Sequence, residues 1–269
     1  MSGVYETISY RRVGDIGTLT LTRPGKRNAQ NPLMWEELAQ LGAELLCDET
    51  LRCLVVTGEG STFSAGIDLV EGLAGIADTV ERSEEADILR EGLSTVQTFS
   101  WIADLGCSSV AAVRGHAYGA GLQLALACDF RIFAKGTKVG LLETRYGIMP
   151  DMGATVRLPR IVGESRAREL ILLGEVIDAD EALRIGLANR VVADGDLDAA
   201  AVELAERLAA QPPIAVRGAR RAIDAAWHRG PEESLRLALE EQIHCLKSED
   251  FKEGQQAMIE SRRPEWRGR

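Results

Sequence analysis

At 269 residues the chain can bury a sizeable core, and 45% apolar against 27% charged residues is the balance of an ordinary globular protein with no run fit to span a bilayer. A net charge of −10 without a basic stripe argues against a nucleic-acid partner, because phosphates would be repelled. Five cysteines without C-x-x-C spacing and three scattered histidines argue against a disulfide framework and a metal site; with no basic start leading into an apolar run at Met1–Glu6, a cytoplasmic protein is expected.

In chain order, Ile16-Gly17-Thr18-Leu19-Thr20-Leu21 alternates and predicts a strand, closed by the turn formers Arg23-Pro24-Gly25. Pro32 opens an amphipathic helix carrying Leu33, Trp35, Leu38, Leu41 and Leu45. Cys53–Gly58 reads as a short buried strand, and the loop Phe63-Ser64-Ala65-Gly66-Ile67-Asp68-Leu69 follows it. Residues 78–104 carry a charge-rich helical pattern with Ile88, Leu89, Leu93, Val96 and Phe99 as its apolar stripe. The run 109–113 is a strand that breaks at Gly115 and becomes Gly119-Ala120-Gly121-Leu122-Gln123, the opening of an apolar helix reaching Cys128. Phe130–Phe133 is the next strand. After Pro159 the pattern turns helical, at 164–173 and 180–185, with a strand at 190–192. Further helices are predicted at 198–209, at 214–227 after Pro212-Pro213, and at 232–246, leading to a tail at 251–254. Recurring strand–loop–helix order with buried runs indicates an α/β fold with a mostly parallel sheet, and the helical remainder sets a core (1–195) against an appendage (196–269).

The strand-to-helix junction at 109–123 is the most informative feature. A small-residue turn there leaves backbone N–H groups unpaired at the helix start, fit for a phosphate, a carboxylate or the oxyanion of a reacting carbonyl. The loop 63–69 has the character of the second half of the same site.

Three segments carry a resemblance: 63–69; Ala111-Ala112-Val113-Arg114-Gly115-His116-Ala117-Tyr118-Gly119-Ala120-Gly121; and Ala125-Leu126-Ala127-Cys128-Asp129. They resemble the signatures of the crotonase (enoyl-CoA hydratase/isomerase) family, and the similarity continues through Glu143, Gly147, Pro150 and Gly153 to Lys252-Glu253-Gly254. The resemblance implies a spiral of ββα turns, a C-terminal helical trimerisation region, trimers that often pair into hexamers, and an acyl-CoA thioester as substrate, with coenzyme A arriving as part of it and no separate cofactor. By the family's pattern the N–H groups of Ile67 and Ala120 form the oxyanion hole, each contributing about 3 kcal/mol to a developing enolate. Ala120 stands where the family often has glycine, and an alanine still supplies the N–H.

Hydratases of the family usually carry two glutamates. Here the first position is Gln123, an amide able to orient water or substrate but unable to accept a proton; the second is Glu143, which retains acid–base capacity. Asp151, eight residues on, is either a second acid or a helix N-cap beside Pro150. A Glu/Asp pair at this spacing is similar to that of the Δ3,5-Δ2,4-dienoyl-CoA isomerases and the 3-hydroxyisobutyryl-CoA hydrolases, and two carboxylates in an apolar pocket are expected to titrate apart. The isomerases usually also have an aspartate where Gln123 stands, so that match is partial, but the hydrolases are usually longer than this chain, and double-bond isomerisation with Glu143 and Asp151 is the leading expectation. Hydration with Glu143 alone is next, then thioester hydrolysis, then a non-catalytic acyl-CoA-binding protein.

For the CoA moiety, Arg23, Lys26 and Arg27 near Ala29 are candidates for its phosphates, with Lys252 as a contact from a neighbouring subunit. The backbone of Ser64, Ala65 and Gly66 is the implied adenine contact. Asp68 is weighed between a place in this site and capping the next helix after the Gly66 turn. His116 and Asp129 are expected to be structural, and Phe99 or Trp101 either shapes the acyl pocket or packs the core.

Overall fold

The computed structural model describes residues 5–72 and 80–269, and within them every side chain except those of residues 91 and 93–97. Nine strands are formed among these residues: β1 (Ile8–Val13), β2 (Ile16–Leu21), β3 (Cys53–Gly58), β4 (Ser108–Val113), β5 (His116–Tyr118), β6 (Phe130–Ala134), β7 (Lys138–Gly140), β8 (Val176–Asp178) and β9 (Arg190–Val192). The helices are α1 (Pro32–Leu46), α2 (Glu85–Asp104), α3 (Ala120–Leu126), α4 (Ala154–Val162), α5 (Glu164–Leu172), α6 (Ala179–Arg184), α7 (Leu197–Ala209), α8 (Pro213–Ala225), α9 (Pro231–Lys247) and α10 (Glu249–Glu260).

The main sheet runs β1-β2-β3-β4-β6-β9, and a three-stranded sheet runs β5-β7-β8. β1 and β2 pair antiparallel through a turn at Gly14 (φ 58), with Val13 opposite Ile16, and each later neighbour in the main sheet is parallel. Both faces of the central strands are covered, which is why their sequences read as unbroken apolar runs. Leu54, Val56, Ala111, Val113 and Phe133 join one cluster with Met34 and Leu38 of α1 and Leu122 and Leu124 of α3. Their sheet neighbours Cys53, Val55, Val110, Ala112, Ile132 and Ala134 point the other way and pack with Leu197, Ala200, Ala201 and Ala205 of α7.

That second cluster lies beyond the expected boundary at 195/196. The alanine face of α7 lets the helix lie close against the sheet, and Pro212-Pro213 separates it from α8. Two expectations change. The stretch 251–254 is not a tail but part of α10, whose first turn is capped by Ser248 accepting from Phe251 N–H at 3.0 Å. Pro159 sits inside the last turn of α4 rather than ahead of the helices. β1 carried no apolar run because it is an edge strand with alternate residues open to solvent, and β5, β7 and β8 are three residues each, too short to announce themselves.

The helix expected from 78 is interrupted: residues 80–82 are helical, 83 and 84 are not, and α2 begins at Glu85, while residues 78 and 79 lie outside the described residues, as do the side chains of Leu93 and Val96. Leu89, 63% exposed, falls off the expected stripe, whereas Phe99 is fully buried. A Cβ on Gly42 of α1 would stand 2.6 Å from the Trp101 ring, so this indole is packed against α1 in the core. Among the described residues no helix is long and apolar enough to cross a membrane.

Candidate active site

Two loops are brought together where β4 and β5 end. Ser64 bridges to Ala117, its N–H donating to His116 O at 3.0 Å and its carbonyl accepting from Tyr118 N–H at 3.1 Å. On the other side Gln30 brackets Ile67, with Gln30 N–H donating to Gly66 O at 2.8 Å and Asp68 N–H donating to Gln30 O at 2.7 Å. A residue between two such bonds turns its own amide to the opposite side. Neither Ile67 N–H nor Ala120 N–H has an acceptor among the described residues. Each is preceded by a glycine in a backbone region closed to other residues: Gly66 at φ 94 and Gly119 at φ 49, ψ −123. A Cβ on Gly66 would lie 2.7 Å from Tyr118 O and 3.7 Å from Ala120 N, which measures how closely the loops approach.

Glu143 opens a single 3₁₀ turn, Glu143–Tyr146, just after β7, and β7 is tied to the donor loop by Gly119 N–H donating to Gly140 O at 2.9 Å. A Cβ on Gly119 would stand 3.3 Å from Glu143 Oε1, so the carboxylate lies directly against the residue preceding the Ala120 amide. Gln123 Nε2 donates to Oε1 at 2.9 Å, whereas Oε2 is buried without a partner among the described residues. Burial pushes the Glu143 carboxyl above its ordinary range; its own backbone and the Gln123 bond pull the other way, and the charge of Asp151 adds to the rise. A buried, half-satisfied carboxylate beside two free amides can take a proton from carbon while those amides hold the negative charge that results.

Asp151 is exposed, and its charge reaches Glu143 without a direct hydrogen bond. It does not cap α4: that helix starts at Ala154 behind Gly153, with no side-chain cap. Gln123, 2% exposed, accepts from Ala154 N–H at 3.2 Å while donating to Glu143, so it is bonded to protein on both ends of its amide.

Lys26 and Arg27 are exposed and without an ionic partner among the described residues, beside the half-buried Ala29. Ala65 N–H donates to Arg27 O at 2.9 Å, and Ser64 Oγ accepts from Gly66 N–H at 3.2 Å, which joins this strip to the first donor loop. Arg23, by contrast, has protein partners. Its guanidinium is committed inward, to Ala29 O at 2.6 Å, Asp68 Oδ2 at 3.2 Å and Glu71 Oε2 at 3.0 Å. Asp68 is likewise bonded within its own loop and to Arg23. It accepts from Val70 and Glu71 N–H at 3.1 Å each, and those N–H groups, with Arg23, hold its carboxyl below the usual range. Lys252 is exposed on α10. Asp129 satisfies Ser109 N–H at 2.7 Å, and His116 stacks obliquely on Tyr118 at 5.1 Å, both structural as expected.

Asn28 was not anticipated. It sits at φ 53 after Arg27 at φ 52, accepts from Arg23 N–H at 2.9 Å, and donates to Glu59 O at 2.9 Å and Thr62 O at 2.6 Å. Those bonds offset two left-handed residues and hold the Lys26–Ala29 strip against the loop before Ser64. The available signal was an asparagine in a turn, a residue that tolerates this conformation.

The family model described as enoyl-CoA hydratase/isomerase matches residues 11–269. A carnitinyl-CoA dehydratase of Citrobacter koseri is 36% identical over 269 residues, 98% of this chain and 99% of the relative. The crystal structure of an enoyl-CoA hydratase from Bacillus anthracis superposes with a TM-score of 0.89 at 33% identity, covering 98% of this chain and 100% of that one. A Thermobifida fusca protein solved in complex with CoA gives a TM-score of 0.80 at 36% identity, over 89% of this chain and 93% of that one.

Proposed function

The chain belongs to the enoyl-CoA hydratase/isomerase family, and from that membership we propose that it moves a double bond within a dienoyl-type acyl-CoA, with Glu143 and Asp151 as the proton-transfer pair. The observation that carries this reading is the Glu143 carboxylate lying against Gly119 with Oε2 buried and unbonded. In the forward step a C–H bond next to the unsaturation breaks, the proton passes to Glu143, and the electron pair moves onto the thioester oxygen facing Ile67 and Ala120 N–H. In the return step a proton adds to a carbon farther along the chain and the electrons re-form the C=O bond. Asp151 supplies or receives the proton at the distant carbon. Water addition in the family's usual pattern draws on two carboxylates around one water, and here the other position is an amide already bonded at both ends.

Lys26 and Arg27 would take the CoA phosphates, with the backbone of Ala29 and Ser64–Gly66 against the nucleotide and Lys252 contributing from a neighbouring subunit. A trimer or hexamer is part of the same proposal; exposed Leu235, Leu239, Ile243 and Leu246 on α9 support it. Hydration by Glu143 alone is the second reading, favoured by the similarity to proteins named hydratase and dehydratase.

The test is a panel of 3,5-dienoyl-CoA, 2-enoyl-CoA and 3-hydroxyisobutyryl-CoA, followed by conjugated-diene absorbance, hydration and free thiol. Isomerisation with kcat/KM falling about 10³-fold in Glu143→Gln and at least about 10-fold in Asp151→Asn is expected. Rapid hydration indifferent to Asp151→Asn would replace this reading with the second one.

A further inference from the structure

Gln123 stands where a proton-transfer group was expected, yet its surroundings give it a different task. It is nearly completely buried, and its amide lies between two groups of opposite demand: Ala154 N–H on one end and the Glu143 carboxylate on the other. A backbone N–H can only donate, so Gln123 must turn its oxygen to Ala154, and its NH₂ is thereby forced to face Glu143. The start of α4 thus selects the orientation of the amide, and the amide selects between the carboxylate's two oxygens.

We propose that Gln123 is a positioning residue that commits Glu143 Oε1 to hydrogen bonding and leaves Oε2 as the oxygen that exchanges a proton with the substrate. The inference rests on Glu143 being the proton carrier. It goes further by assigning the exchange to one atom and by making the Ala154 amide part of the site. The two oxygens of Glu143 differ in the way this requires: Oε1 accepts at 2.9 Å, and Oε2 is buried without a partner. The proton leaves carbon for Oε2 as the C–H bond breaks, Asp151 gives a proton to the distant carbon as the new C–H bond forms, and both carboxyls then regain their starting protonation by exchange with solvent. Oε1 keeps the Gln123 bond throughout, and no oxidant or further reactant is consumed.

The amide donor favours the ionised carboxylate, opposing the effect of burial. Removing it leaves the desolvated acid less opposed, so Glu143 holds its proton to higher pH. The acid limb of the kcat/KM profile then moves up, because the base is the ionised form. Gln123→Met keeps the volume and loses both bonds; Gln123→Glu keeps an acceptor for Ala154 and sets a second carboxyl beside Oε1.

Glu143 is titrated without substrate, by infrared difference spectra of the carboxyl stretch against a Glu143→Gln background at each pH. A rise of about one pH unit in Gln123→Met is expected, with a larger, two-step rise in Gln123→Glu. In Gln123→Met, kcat on the acyl-CoA of the panel that the wild type turns over falls about 10-fold or more while KM changes less than about three-fold. An unchanged Glu143 titration in folded Gln123→Met overturns the proposal. If that variant does not fold, an unchanged titration in Gln123→Glu overturns it. A shifted titration with no dienoyl-CoA turnover supports the positioning role and defeats the isomerase reading alone.

Discussion

The spiral core and the C-terminal helices bury their apolar surface in different ways. In the core, both faces of a parallel sheet are covered, with α1 and α3 on one side and α7 on the other. In α9, seventeen residues from Pro231 to Lys247, none is buried, and Leu235 and Leu239 are 72% and 61% exposed. The core carries its stability within itself. The helices after Pro212 are held by a few specific ties. Arg220 of α8 donates to Asp129 Oδ1 and Ala103 O at 3.1 Å each, and also to Leu105 O. Trp266 donates to Ala210 O at 2.9 Å, and Asp250 accepts from Arg267 N–H at 2.6 Å. Ile67, Ala120, Gln123 and Glu143 all lie on the self-sufficient side. Chemistry and attachment are therefore separable, and single substitutions should divide them.

The largest effect is expected at Gly66. An alanine there must adopt φ 94 and place its Cβ 2.7 Å from Tyr118 O, so the loop carrying Ile67 has to shift. One misplaced oxyanion donor lowers kcat by about 10²–10³-fold. Steady-state kinetics beside circular dichroism checks this; a Gly66→Ala enzyme with wild-type kcat would place the donors elsewhere.

Next is Arg220→Ala, which leaves Asp129 Oδ1 and two backbone carbonyls without their donor at the joint between the regions. A loss of about 2–3 kcal/mol in urea unfolding is expected, with activity per folded molecule retained. If the urea midpoint held and kcat fell instead, the division between chemistry and attachment would fail.

The smallest effect on the single chain is expected from Leu239→Lys on the exposed face of α9, within about 0.5 kcal/mol. Light scattering after size exclusion should nevertheless show a smaller assembly, since a charge would be set into an apolar contact. An unaltered mass would mean that another surface joins the subunits.

Much of the core could be read directly. Strands at 16–21, 53–58 and 109–113 declared themselves because burial on both faces demands continuous apolar runs, and α1 because Asn31 and Pro32 form a recognisable start, with Asn31 accepting from Met34 N–H at 3.0 Å. The donor loops were legible because two glycines stand directly before the amides they turn outward. Other features left a weaker mark. α7 read as part of an appendage because an alanine-rich face suits a loose helix as well as one laid on a sheet. Arg23 and Asp68 looked available because a charge in a sequence does not announce its partner, and here each is the other's.

The amino-acid sequence by itself determined the family and the α/β architecture, and it pointed to the Ile67 and Ala120 amides and to Glu143, since each depends on residue type and local spacing. Tertiary structure alone decided which side chains were already spoken for. Hydrogen bonds between residues 31 positions apart, such as Gln123 with Ala154, or 45 apart, such as Arg23 with Asp68, exist only once helices and loops from separate turns of the spiral are brought within about 3 Å. Those contacts tie the Gln123 amide to Glu143 and to the start of α4, and the Arg23 guanidinium to Asp68.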